Sequence, residues 1–332
     1  MPGRTLEGHS IRQKADIMTE VLIIGGGAAG LSAALLLGRS RRSVLVIDAG
    51  APRNAPAAGA HGFLTRDGVA PLELTRLGRA DLAPYDVRIV DGTVTGAERT
   101  DRGFRVSLAD GSVFEAPRIL VTTGLVDELP DIPGLGERWG KDLAHCPYCH
   151  GWEIQDQAIG VIGNGSFAVH QAMLFRQWSA SITLFLNDSM QPTRDEHLQL
   201  AARGIGVVTG AVARVHSTDG SVSGVELADG SEHGVQALTV QPRMVARSRF
   251  LTGLGLVTSV TAFGETIDSD ETGLTAIPGV WAAGNVTDMK ATVLAAAQGG
   301  ANAAVMINMD MMAAELADAV AAHTAYPRHH TA

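Results

Sequence analysis

Only two cysteines occur in 332 residues, and they stand as Cys146-Pro-Tyr-Cys149, so any thiol chemistry runs through one pair. Positive charge is in short supply as well: the formal net charge is −9, which argues against a nucleic-acid-binding surface. Long apolar runs are missing. Gly25–Gly27 interrupt the first candidate and charges interrupt the rest, so no transmembrane segment is expected. The segment from Met1 to Asp16 is polar and lacks the apolar stretch of a secretory signal. Residues 1–18 therefore read as a disordered extension, with Met18 as an alternative start, and Tyr326 to Ala332 read as a disordered end. Together these absences point to a reducing cytoplasm, where a C-x-x-C is more often catalytic than structural.

What is present suits an α/β enzyme: 45% hydrophobic residues, 18% charged residues, 39 glycines, and length enough for two domains with substantial cores. Val21-Leu-Ile-Ile24 has the wholly apolar character of a parallel strand buried on both faces. Gly25-Gly-Gly27-Ala28-Ala29-Gly30 follows as G-x-G-x-x-G, then a helical run from Leu31 to Leu37. A second strand, Val44-Leu-Val-Ile47, ends on Asp48, 18 residues past Gly30. In this arrangement Gly25 allows the tight turn, Gly27 admits a pyrophosphate to the backbone, and Gly30 permits close helix–strand packing. Asp48 stands where a carboxylate binds a ribose hydroxyl pair. The following loops hold Arg53, placed to meet phosphate, and the polar stretch His61 to Gly68 with Asp67, which equally suits simple solvation.

Val87 to Phe114 reads as a meander of short strands with Asp-Gly turns. Ile119 to Gly124 is a further buried strand whose terminal Gly124 is expected against a ligand. After the cysteines the first pattern returns: strand Ala158 to Ile162, Gly163-Asn-Gly165-Ser-Phe-Ala168, a helix, and strand Ile182 to Leu186. The two fingerprints start 138 residues apart, so the architecture is duplicated. The position matching Asp48 is Leu186, followed by Asn187 and Asp188, with no arginine for a 2′-phosphate. Near the end, Gly279 to Asn285 is a strand closing on Gly284-Asn285, and Ala291 to Ala321 should be helical. Gly299-Gly300 inside it suggests close approach of a ligand or partner backbone, or plain helix–sheet packing. Met306, Met309, Met311 and Met312 suit a core or a dimer interface.

The cysteines are flanked by His145 and His150. Two thiols at this spacing can close into a disulfide, and either imidazole can move the proton that exchange requires. Four candidate ligands within six residues can hardly wrap one tetrahedral metal, and no second C-x-x-C exists, so no metal is expected. C-x-x-C-H also matches the c-type haem attachment, which needs an oxidising compartment, and an inert buried pair is the remaining reading.

From about residue 19 to 320 the chain resembles the low-molecular-weight thioredoxin reductase family of flavin disulfide oxidoreductases. The matching motifs are Gly25 to Gly30, Cys146 and Cys149 just before Gly163 to Ala168, and the late corner Gly284-Asn285. The resemblance implies an α/β fold of two Rossmann-like dinucleotide-binding domains, the second inserted into the first. Residues 19–126 and 249–332 would bind FAD, and 127–248 would form the NAD(P)-like insert carrying the C-x-x-C. It further implies a homodimer, FAD held by Gly25 to Gly30, Asp48, Arg53, Gly124, Gly284 and Asn285, and an isoalloxazine meeting the cysteine pair.

Two departures stand out. Leu186-Asn187-Asp188 replaces the family's His-Arg-Arg phosphate motif, and Asn285 replaces its ribityl aspartate. The string His145 to Glu153, HCPYCHGWE, resembles more closely the FAD-dependent dithiol oxidases, which close disulfides in natural products such as gliotoxin, holomycin and romidepsin. That likeness implies oxidation of a small-molecule dithiol, with electrons passing through the cysteines and flavin to O2 to give H2O2. Cys146 would be the outer cysteine that exchanges with substrate, Cys149 the inner one that engages the flavin, and His145 or His150 the base. An NAD(P)H-dependent thioredoxin-type reductase and a flavin–thiol redox sensor are the alternatives.

Overall fold

The computed structural model describes residues 19–325, so both expected disordered ends lie outside the described residues. The first unit is built on a five-stranded parallel sheet. At its centre is β1 (Val21–Ile24), followed in the chain by α1 (Ala28–Arg39), β2 (Val44–Asp48), α2 (Pro71–Asp81) and β3 (Val87–Asp91). On the other side of β1 lie the strands Arg118–Val121 and Val280–Ala282. Alternation along β1 explains its unbroken apolarity. Leu22 and Ile24 enter the core on one face, while Val21 and Ile23 enter the core on the other. Each such side chain contributes about 1.5–3 kcal/mol by leaving water, and truncating Ile23 to alanine costs about 2–5 kcal/mol.

The expected meander is corrected in one part. Val94–Thr100, Gly103–Leu108 and Val113–Ala116 do form a three-stranded antiparallel sheet, but β3 pairs parallel with β2. As an edge strand it is only partly buried, and its alternating pattern imitates a half-exposed antiparallel strand.

The second unit repeats the plan. A five-stranded parallel sheet holds Leu143–Ala144, Ala237–Val240, Ile159–Ile162, Ile182–Phe185 and Gly206–Val208 in spatial order. It carries α3 (Pro147–His150), α4 (Phe167–Phe175) and α5 (Arg194–Ala202), with a three-stranded sheet of its own between residues 212 and 233. The chain enters this unit through Leu125–Glu128 and leaves through Arg243–Ala246, and those two strands pair antiparallel with Glu128 opposite Arg243.

The long helix α6 (Val293–Ala325) returns to pack on α1. Its Gly300 answers the question that the glycine pair raised. A Cβ there would stand 1.9 Å from the Ala29 carbonyl oxygen, so what comes close is a neighbouring helix backbone of the same chain. Met311 is buried in the core, while Met309 and Met312 are exposed on the described chain. No helix among the described residues is long and apolar enough to cross a membrane.

Candidate active site

A cleft of about 1650 Å³ runs from the first glycine loop to the cysteine pair, larger than the roughly 300–1,000 Å³ that holds a drug-sized ligand. Gly25, Gly27, Ala28, Ala29, Asp48, Arg53, Gly124, Gly284 and Asn285 all line it, together with His145, Cys146, Cys149 and His150. Gly30 lies behind the wall, where a Cβ would come within 1.9 Å of the Gly25 carbonyl oxygen. At Gly27 a Cβ would meet nothing within 4 Å, which leaves the start of α1 open to the cleft. Asp48 accepts the Gly26 N–H at 3.1 Å and is held from the other side by Arg79 at 2.6 Å, which also reaches Asp91 at 2.9 Å. Asn285 donates to the carbonyls of Asp288 and Ala291 at 3.1 and 2.9 Å, which fixes the corner after Gly284. An elongated dinucleotide fits this set: helix N-terminus for pyrophosphate, carboxylate for ribose, and a cleft continuing to the thiols.

The cysteines are free thiols on either side of the first turn of α3. Cys146 occupies its N-cap, with Pro147 next; its carbonyl accepts the Cys149 N–H at 3.1 Å, and the Tyr148 and Cys149 N–H groups at this helix start favour a thiolate at Cys146. The neighbouring Cys149 thiol, the two N–H groups and the Arg53 charge together lower the Cys146 pKa to about 6 despite burial. Cys149 moves the opposite way, because its thiol proton is shared with Cys146 and because it is buried. The pair therefore shares its protons, with the thiolate favoured at Cys146.

His145 is fixed by a short chain of bonds. Gln241 donates its amide to the Pro242 carbonyl at 3.2 Å, which turns its oxygen toward His145 Nε2 at 3.1 Å. Nε2 must then carry the proton, leaving Nδ1 as the basic nitrogen. Burial, and next the Arg53 charge, push the His145 pKa down, so the ring is neutral at physiological pH. His150 is also pushed down by burial, with Glu153 opposing and His61 adding to the shift.

Arg53, which lines the cleft, also has a partner within the protein. Its guanidinium makes a two-pronged bond to Asp127, at 2.7 and 2.6 Å, with Asp127 buried on the strand that leads into the second unit. Its charge still acts on both thiols. Asp127, Gln241 and Arg79 escaped the sequence reading, since each is a single polar residue whose partner lies elsewhere in the chain. His61, by contrast, is not merely solvated: its Nε2 faces Glu153 at 3.3 Å and its Nδ1 faces Asp67 at 3.6 Å.

The second fingerprint is tied to the turn that follows the neighbouring strand. Leu186 is buried, and Asn187 and Asp188 both adopt positive φ in the turn after the strand. The Asn187 side chain donates to the Gly163 carbonyl at 3.1 Å and accepts the Val212 N–H at 2.9 Å. Gly165 donates its N–H to the Ser189 hydroxyl at 3.3 Å. At the start of α4, Phe167 meets Phe263 of the first unit edge-to-face, with ring centres 5.3 Å apart.

Residues 19–301 match the family described as pyridine nucleotide-disulphide oxidoreductase. The chain is 45% identical to HlmI, whose crystal structure superposes with a TM-score of 0.87 over 92% of this chain and 96% of that one. It is 37% identical to thioredoxin reductase tcpT of Claviceps purpurea (strain 20.1) over 51% of this chain, and the match spans 56% of that relative's length. It is 28% identical to thioredoxin reductase sirT of Leptosphaeria maculans, over 90% of this chain and 96% of the relative.

Proposed function

The chain belongs to the pyridine nucleotide-disulphide oxidoreductase family and is an FAD-dependent oxidoreductase, and on that premise we propose that it is a dithiol oxidase. In the proposed reaction a small-molecule dithiol and O2 give a cyclic or linked disulfide and H2O2. FAD, held by the Gly25–Gly30 loop, Asp48 and the Gly284-Asn285 corner, supplies two-electron chemistry between the thiols and oxygen. The protein would act as a homodimer.

The observation that carries this reading is the contrast at the end of the second strand of each unit. Asp48 lines the cleft that contains Cys146 and Cys149, while its counterpart Leu186 is buried and is followed by Asn187, whose side chain bonds to Gly163 and Val212. A 2′-phosphate is normally held by arginine, and here its position would face Asn187 and Asp188. Electrons are therefore assigned to enter from thiols. With the enzyme's cysteines joined as a disulfide, a substrate thiolate would attack Cys146 and release Cys149; the second substrate thiol would then attack the substrate sulfur and release Cys146, leaving both enzyme cysteines reduced. A low thiol pKa at Cys146 favours that departure. His145, neutral and with Nδ1 free, is assigned as the base that takes the substrate proton.

Anaerobic stopped-flow mixing tests the reading. Dithiothreitol should bleach the flavin far faster than NADPH does, and readmitted air should restore it with one H2O2 per flavin. Bleaching by NADPH in milliseconds with a sluggish dithiol reaction would replace the oxidase by the second reading, an NAD(P)H-dependent disulfide reductase. The intact glycine pattern of the second loop and the thioredoxin reductase names of two relatives favour that alternative.

A further inference from the structure

Helix α4 buries Ala168, Val169, Ala172 and Phe175 in the core of the second unit, and among them stands Gln171, 1% exposed. A buried amide must find its hydrogen bonds inside the protein. Its Nε2 donates to the His145 carbonyl at 3.1 Å and to the Thr239 hydroxyl at 2.8 Å, while its Oε1 has no partner among the described residues. A buried oxygen left unpaired is unfavourable, so Gln171 is a poor choice as mere core filler. The groups it joins lie at the ends of two parallel strands. Thr239 stands opposite Ala144, and from Ala144 the chain runs straight on into His145 and Cys146.

A second tie starts in the glycine loop before the same helix. Asn164, between Gly163 and Gly165, donates its Nδ2 to the main-chain carbonyl of Gln241 at 2.8 Å. Gln241 is itself buried, and its side-chain oxygen is the one that faces His145 Nε2. The loop and helix that follow the second fingerprint's strand therefore reach the same histidine twice, once at its main chain and once at the partner of its ring.

Resting on the dithiol reading and on His145 as its base, we propose that Gln171 and Asn164 are positioning residues that mount this base on the second unit's glycine loop and helix. Gln171 fixes the main chain of His145, so that the ring leaves the strand end at one place beside Cys146. Asn164 fixes the main chain of Gln241, so that an acceptor stays opposite Nε2 and Nδ1 stays bare. These supports are neutral side chains. The charges that act on the ring, Arg53 and Asp127, come from the loop after β2 and from the strand Leu125–Glu128. The mount thus works through direction, not charge. The step it serves is a proton transfer from a substrate thiol to Nδ1, which leaves a thiolate and an imidazolium with nothing oxidised. The second fingerprint then has a use that needs no nucleotide.

The test compares Gln171→Leu, Asn164→Ala and Gln241→Leu in the FAD-loaded enzyme, with Gln241→Glu as the conservative variant that keeps an acceptor for Nε2. Asn164 is exposed, so its replacement leaves the core intact. At neutral pH, anaerobic flavin reduction by dithiothreitol should slow about tenfold in Gln171→Leu and Gln241→Leu and about threefold in Asn164→Ala, the effect of losing one or two neutral hydrogen bonds. Gln241→Glu should stay within about twofold of the unchanged enzyme, because the ring keeps its tautomer. Above about pH 9 an ordinary thiol arrives already ionised and needs no base, so every deficit should shrink to less than about twofold. Lost packing or lost FAD would instead slow reduction alike at every pH. Nitrogen NMR of isotope-labelled enzyme gives a reading independent of turnover: His145 should carry its proton on Nε2, and mixed tautomers should appear in all three weakened variants.

Deficits that persist at high pH, or a tautomer that stays unchanged, overturn the inference even if dithiothreitol bleaches the flavin. Mixed tautomers in variants of an enzyme whose flavin dithiothreitol cannot reduce would leave the mount standing and remove the dithiol reading.

Discussion

In the first unit the loop Gly25–Gly30 opens onto the cleft, and Asp48 waits at the end of the neighbouring strand. In the second unit the loop Gly163–Ala168 has the same strand before it and the same helix after it, but Asn187 and Ser189 bond to its glycines. The glycine pattern is thus a statement about backbone geometry. Close packing of neighbouring strand ends needs it whether or not a nucleotide is present: a Cβ at Gly163 would stand 2.5 Å from the Leu186 carbonyl oxygen. Residues just past the second strand decide whether such a loop binds anything. One unit kept an acid there, and the other spends its polar side chains on its own turn.

The contrast can be broken most severely at the dithiol, which the second unit contributes to the first unit's cleft. Cys149→Ser should abolish flavin bleaching by dithiothreitol, and His145→Ala should slow it by about 10²–10⁴-fold, the usual range for a lost general base. Anaerobic stopped-flow absorbance checks both. Comparable kinetics in His145→Ala, with the defect moved to His150→Ala, would reassign the base.

A smaller effect sharpens the electrostatic half of the comparison. Thiolates, not thiols, react with iodoacetamide, so the alkylation rate of the reduced enzyme should rise with pH through a midpoint of about 6. Below that midpoint Cys146 is protonated and unreactive; above it the rate is flat. Arg53→Met removes a charge that favours the thiolate and should move the midpoint upward, as read by mass spectrometry of the Cys146 peptide.

The smallest effect is expected from trying to reopen the second unit. The double variant Asn187→Arg, Asp188→Arg restores charge for a 2′-phosphate but loses the Asn187 bonds to Gly163 and Val212. NADPH-driven bleaching should gain no more than about tenfold, the worth of one good charge-assisted contact. A gain of several hundredfold would mean that the arginines alone were missing and that the Asn187 bonds are no barrier.

These differences also mark what the sequence could carry. Val21 to Asp48 was legible because strand, glycines, helix and acid follow one another without a break, and local periodicity decides each. The edge strand β3 was misread because partial burial produced the alternation of an antiparallel strand. At the site, Cys146 and Cys149 announce themselves by spacing, but the partners that tune them do not. Asp127 is 74 residues from Arg53, and Gln241 is 96 from His145. Asp127 and Gln241 lie in the short stretches where the chain passes between units, and nothing local distinguishes them from ordinary polar residues. His61 looked like loop solvation for the same reason, since its second carboxylate comes from a segment 92 residues later.

The paired strands Leu125–Glu128 and Arg243–Ala246 have a consequence for how such a chain can be remade. Because Glu128 and Arg243 sit opposite each other, the intervening segment begins and ends within about 5.5 Å, the spacing of facing residues in an antiparallel ladder. A module with adjoining ends can be cut out or exchanged with little demand on the host, since closing the gap takes only a tight turn. Replacing residues 129–242 by a two-residue hairpin should therefore leave a flavin-binding host that folds but has lost its thiols. Grafting the same module from a relative should transplant the dithiol while the host's glycine loop and Asp48 stay as they are.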